Sequence, residues 1–149
     1  MDGERRVLGI CYGHQMIARA LTGPAHCRKS SIPEFGWKSL NLSADPLFEG
    51  IRELIAVHSH YDEVCDLPAP FRVIASTTDC AIQAFAFGDR PIWGVQFHPE
   101  MSLGSGTAML QDNLRTEERA PELYVNELQT PDQLRWNRKL FENFFGTGQ

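Results

Sequence analysis

The stretch Val7-Leu8-Gly9-Ile10-Cys11-Tyr12-Gly13-His14-Gln15 decides the reading of this chain. Arg6 to Ile10 carries a short apolar run and reads as a buried strand. From Gly13 onward the pattern changes. Met16, Ile17, Ala20 and Leu21 fall at helical spacing, and Gly23-Pro24 stops that helix, with Gly past its end and Pro beyond. Cys11 stands where strand becomes helix, inside Gly9-Ile10-Cys11-Tyr12-Gly13, a G-x-C-x-G elbow. Such a turn forces its central residue into a strained conformation and exposes that side chain at the top of a sheet. The helix N-terminus behind the cysteine favours a thiolate. The amide N–H of Tyr12 points where an oxyanion would form. Taken alone, the motif is also compatible with a buried cysteine in a glycine-rich turn.

Working outward, strand signals follow. Trp37 to Leu42 alternates apolar and polar residues, and Leu54 to Val57 is a second run. Arg72 to Ser76 and Ala81 to Phe87 come next. Gly88-Asp89-Arg90 then turns into Pro91 to Phe97, so the last two runs read as a hairpin. Beside parallel strands, that hairpin makes a mixed sheet. Residues 102–130 are polar and lack a clear period, with a short helix expected around Ala108 to Glu118. Thr130-Pro131-Asp132-Gln133 places Thr at the N-cap, Pro at the first helical position and Gln two further on. Trp136, Leu140 and Phe144 then repeat every four residues, with Phe141 and Phe145 alongside, and predict an amphipathic helix docked on the sheet.

Composition narrows the class. The 149 residues predict one domain, 42% of them hydrophobic, with a net charge of −5. No Lys/Arg run offers a phosphate-binding stripe, so nucleic acid is not an expected partner. No apolar h-region follows the N-terminal charges and no apolar run is of membrane-spanning length, so the expected location is the cytoplasm. Cys11, Cys27, Cys65 and Cys80 are irregularly spaced, which favours reduced thiols over a disulfide framework. Cys27, Cys65 and Cys80 have no elbow around them and read as packing residues.

A second chemical element is Gly94-Val95-Gln96-Phe97-His98-Pro99-Glu100. His98 follows a predicted strand, and Glu100 lies two residues on, within reach if the segment is extended. An imidazole base needs such a partner to fix its tautomer and steady its positive charge. Pro99 limits drift between them. A solvated His-Pro-Glu turn is the plain alternative. His58 and His60, with Asp62 nearby, form a His-x-His pattern that could bind metal, but no third His or Cys falls at a convincing spacing, so no metal and no cofactor is expected.

Taken together, the two elements resemble the class I, or triad, glutamine amidotransferases. The gap from Cys11 to His98 is 98 − 11 = 87 residues. The order Cys, His, Glu also fits, and it argues against an α/β-hydrolase, whose order is nucleophile, acid, then His. The resemblance implies that Cys11 is the nucleophile, His98 the general base and acid, and Glu100 the group orienting His98. It implies that Gln15 helps to hold a glutamine substrate. Val57-His58-Ser59-His60-Tyr61-Asp62 resembles the loop whose backbone grips the α-amino and α-carboxylate groups. Glu34-Phe35-Gly36-Trp37, His60-Tyr61-Asp62 and Ile82-Gln83-Ala84-Phe85 are similar to stand-alone domains related to the glutaminase part of GMP synthetase.

The fold implied is α/β, a three-layer, largely parallel mixed sheet with helices on both faces. Family domains begin with several strands ahead of the elbow, and a glycine-rich loop among them donates a second oxyanion N–H. Only ten residues precede Cys11 here, so residues 1–149 are expected to be the C-terminal part of the usual domain, with an open sheet edge. The implied reaction is hydrolysis of the glutamine side-chain amide through a glutamyl thioester, with ammonia passed to a synthetase partner. A γ-glutamyl peptide hydrolase and an inactive fragment or binding module are the alternatives.

Overall fold

The computed structural model describes residues 3–146. Strand β1 (Val7–Ile10) enters helix α1 (Tyr12–Thr22), and Gly23, at φ 91°, ends that helix by donating its N–H to the Arg19 carbonyl. Strands β2 (Cys27–Ser39), β3 (Asn41–Leu42), β4 (Ile55–Val64), β5 (Phe71–Ser76), β6 (Ala84–Phe87) and β7 (Ile92–Val95) follow. The chain then forms α2 (Leu103–Thr116), α3 (Ala120–Leu123), β8 (Tyr124–Asn126) and α4 (Arg135–Phe145). A short 3₁₀ turn over Pro131–Leu134 leads into α4, and the Thr130 N–H donates to Gln133 Oε1 at 3.1 Å, as the capping pattern predicts.

The elbow strand lies in a five-stranded sheet of order β1-β7-β6-β5-β3. The pairing β1–β7 is parallel, with Gly9 opposite Gly94. The pairing β6–β7 is the expected hairpin, with Phe85 opposite Gly94. Strand alternation then sorts the two faces. Leu8, Ile10, Trp93, Val95, Ala84 and Ala86 point to one side, where Trp136, Leu140 and Phe144 of α4 cover them. Gly9, Gly94 and Phe85 point to the other, under α1, where Ile17 and Ala18 pack. The two glycines let α1 come close. A Cβ on Gly9 would lie 2.5 Å from the Gly13 carbonyl oxygen, and one on Gly94 would lie 2.4 Å from the Phe85 ring.

A second sheet has the order β4-β2-β8. Trp37, Ile55 and Val57 pack against Leu110 of α2 and form its core. The two sheets meet at a bridge between Val57 and His98, where the His98 N–H donates to the Val57 carbonyl at 3.0 Å. Among the described residues no helix is long and apolar enough to cross a membrane.

The mixed α/β architecture agrees with the sequence, but the expectation of a largely parallel sheet is corrected. Among the described strands only β1–β7 and β2–β8 are parallel, and β2–β4, β3–β5, β5–β6 and β6–β7 are antiparallel. Parallel neighbours need a crossover of a dozen or more residues, and the chain between β4 and β7 turns back through short connections instead. Strand β2 also begins ten residues before the expected Trp37. Its polar first half forms an arm with the end of β4, and its register breaks between Lys29 and Glu34, where Pro33 has no N–H to give. The helix expected over 108–118 runs from Leu103 to Thr116, capped by the Ser102 hydroxyl.

Candidate functional site

Cys11 stands at φ 52° and ψ −102°, a conformation costly for any residue with a Cβ, by about 1–3 kcal/mol. Two backbone bonds hold it there. Its N–H continues the β1–β7 ladder to the Val95 carbonyl at 2.8 Å, and its own carbonyl accepts from the Gln15 N–H at 3.2 Å. The strain turns the thiol out of the ladder and over the end of the sheet. Tyr12 opens α1, where first-turn N–H groups have no partner within the helix, and its ring is exposed.

His98 follows the end of β7 and bridges to β4. Its backbone is pinned to Val57, and its Nδ1–H donates to Glu100 Oε1 at 2.6 Å. That bond leaves Nε2 free on the side of the ring near Cys11, whose thiol acts on the imidazole. Burial opposes a charge on the ring, but the bonds to Cys11 and Glu100 outweigh it and raise the imidazole from 6.5 to about 9. The structure thus brings together Cys11, His98 and Glu100, three residues spread over 89 positions of sequence.

The proposed substrate residues divide. Gln15 lies on the first turn after Cys11, with its Nε2 donating to Gln96 Oε1 at 3.2 Å and to the Asp62 carbonyl at 3.4 Å. His58, Ser59 and His60 do not form the expected loop. They lie inside β4, because Gly36, Phe35 and Glu34 of β2 pair with them in register. The His58 Nδ1–H donates to the Ala56 carbonyl, and burial pushes the ring down to about 4. Ser59 Oγ accepts from Asn113 of α2. His60 bonds the Asp62 carbonyl through Nδ1 at 2.8 Å and Glu34 through Nε2 at 2.9 Å. The end of β4 reaches the elbow through the Asp62 carbonyl, not through these side chains.

Two features were not legible as parts of the site. One is Gln96, fully buried, whose Nε2 lies 3.6 Å from Cys11 Sγ. A polar residue between Val95 and Phe97, both fully buried, was its only signal. The other is a buried polar hub. Glu34 accepts from Lys38 at 2.5 Å, His60 at 2.9 Å, Thr77 at 2.8 Å and Gln83 at 2.5 Å. Burial works to raise the Glu34 carboxyl, but the bonds from His60 and Lys38 and the nearby His58 ring outweigh it and hold the group at about 2.

Among the described residues, Glu34, His60 and Cys80 bring three possible metal ligands within 4.8 Å of one another. Hydrogen-bond donors already occupy both oxygens of the carboxylate, and burial raises the Cys80 thiol to about 12, so this is a poor cation site. His14 is buried and stacks on Phe85, while His26 is partly exposed and bonds the Cys65 carbonyl.

A thiol on a strand-to-helix elbow, near an imidazole that a carboxylate orients, is an arrangement able to carry out acyl transfer on an α/β frame. The model of the glutamine amidotransferase class-I family matches residues 3–116, and this chain belongs to that family. It is similar to one subunit of the glutamine-hydrolysing GMP synthase of Sulfolobus acidocaldarius, with 44% identity over 96 residues, 63% of this chain and 50% of that protein. It is 42% identical to the glutamine-hydrolysing GMP synthase of Clostridium novyi over 97 residues, 64% of this chain and 19% of that protein. Among solved structures, a Thermoplasma acidophilum protein proposed to be a GMP synthase subunit superposes with a TM-score of 0.70 at 28% identity. That match covers 97% of this chain and 58% of the other. The chain therefore spans about half the length of the GMP synthase subunits it matches.

Proposed function

We propose that this chain carries out the glutaminase reaction. The observation that supports it is the strained elbow at Cys11 beside His98, an imidazole held by Glu100 at 2.6 Å and raised by Cys11 and Glu100. In this reading the Cys11 thiolate attacks the side-chain amide carbon of glutamine, and the developing oxyanion faces the Tyr12 N–H. The C–N bond breaks as His98 gives its proton to the departing nitrogen, which leaves as ammonia. Water then attacks the glutamyl thioester, with His98 taking its proton, and glutamate and the thiolate are released. Gln15 and the backbone at the end of β4 hold the substrate. The GMP synthase names of the relatives point to a GMP-forming synthetase as the acceptor of the ammonia. The four free cysteines suit the cytoplasm.

The test is ammonia release from glutamine, with a γ-glutamyl peptide as the competing substrate. His98→Ala should reduce turnover by about 10²-fold or more, the usual worth of a positioned acid–base group. Glu100→Ala should lose less, because Glu100 is partly exposed and water can take its place beside Nδ1. A fully active His98→Ala protein would refute the mechanism, and faster cleavage of the peptide would reassign the substrate.

A further inference from the structure

The amide of Gln96 touches the Cys11 sulfur, and no part of the mechanism uses it. Its orientation follows from its neighbours. The Asp62 carbonyl can only accept, and it takes a bond from His60 Nδ1 at 2.8 Å and from Gln15 Nε2 at 3.4 Å. The end of the Gln15 side chain that faces Asp62 is therefore its NH₂ group. That same NH₂ lies 3.2 Å from Gln96, so Gln96 must present its oxygen there. The NH₂ of Gln96 is left facing Cys11 Sγ at 3.6 Å. The Gln96 backbone is held as well, its N–H donating to the Gln83 carbonyl at 2.7 Å, and the residue is 0% exposed.

We propose that Gln96 is the thiolate donor of this site, an amide locked by Gln15 and Asp62 so that its N–H points at the nucleophile's sulfur. The proposal rests on the reading of Cys11 as nucleophile. Hydrogen bonds to an ionised acceptor are about twice as strong as those between neutral groups, so this N–H stabilises the anionic sulfur more than the neutral sulfur of a thioester. It acts when the thiolate waits for substrate and again when the sulfur is expelled in the second half of the reaction. Gln96 is fully buried, and its loss lowers kcat.

The experiment is alkylation of the native chain by iodoacetamide across a pH series, with the labelled cysteine mapped, in the parent and in Gln96→Met and Gln96→Glu. Gln96→Met keeps the volume and removes the donor, and Gln96→Glu replaces the donor with an acceptor. The Cys11 rate near neutral pH should fall by about threefold to tenfold in Gln96→Met, because the smaller thiolate fraction is partly offset by its higher nucleophilicity. The rise of the rate with pH should move upward, and Gln96→Glu should show the larger effect. A cysteine other than Cys11 labelled first in the parent would refute the nucleophile assignment. A parent that labels at Cys11, with a folded Gln96→Met of unchanged rate and pH profile, would overturn the donor role alone. If both variants fail to fold, Gln15→Met unlocks the amide without touching Gln96, and an unchanged Cys11 rate in that variant overturns the proposal.

Discussion

Replacing Glu34 by Gln keeps the shape of the buried hub and removes its charge. Four donors converge on that carboxylate, and its side chain is fully buried. Breaking a buried pair by removing one partner costs about 3–5 kcal/mol, because the other charge is left uncompensated. Lys38 keeps a second partner, Asp79 at 3.2 Å, so the lower end of that range applies. An independent route gives a similar size. Holding the carboxyl at about 2 instead of 4.5 is worth about 3 kcal/mol of folding stability. A Glu34→Gln chain should therefore melt about 6–12 °C below the parent, since 1 kcal/mol moves a domain of this size by about 2–4 °C. The sign with pH follows from the depressed value. The stability Glu34 contributes is present above 4.5 and is lost as pH falls through about 2, so the acid limb of the parent's stability profile should flatten in the variant. Urea unfolding at neutral pH and along an acid series reads both. A variant within about 1 kcal/mol of the parent, with an unchanged acid limb, would show that the hub's bonds are offset by desolvation.

Other expectations follow from the same geometry. His98 should titrate near 9 by NMR, and in Cys11→Ala and Glu100→Ala it should fall, because burial alone lowers it. The raised value means that its charge contributes stability below about 6.5 that is lost as pH rises through about 9; titration near 6.5 in the parent would mean that the thiol–imidazole contact is not made in solution. Gly36→Ala should unseat β8, since Gly36 is at φ 120° and an added Cβ would lie 1.7 Å from the Val125 carbonyl oxygen; amide exchange over residues 124–126 should quicken, and unchanged protection there would contradict the pairing. Under limiting alkylating agent, Cys80 should be the slowest thiol, because burial pushes it up to about 12 and it has almost no exposed surface.

The sequence by itself determined the features that depend on near neighbours. An apolar run before Cys11, helical spacing after it and Gly23-Pro24 at the stop specify the elbow and α1. Alternation on either side of Gly88-Asp89 specifies the β6–β7 hairpin, and the Thr130-to-Gln133 pattern specifies the start of the last helical segment. His98 and Glu100 could be paired on paper because two extended residues reach the same side. What the tertiary structure alone decided depends on partners far apart in the chain. The first half of β2 is polar and becomes a strand because Cys27 to Lys29 pair with the end of β4. β8 is short and largely exposed, and it exists through backbone bonds that an absent Cβ at Gly36 allows. The His-x-His segment reads as a loop by resemblance and as a metal motif by composition, yet pairing with Glu34 and Gly36 makes it a strand. Gln96 becomes a donor to Cys11 only because Gln15, 81 positions away, fixes which end of its amide faces the sulfur. Periodicity and capping are written in side chains a few residues apart, whereas register, burial and the direction of an amide are settled only when distant strands meet.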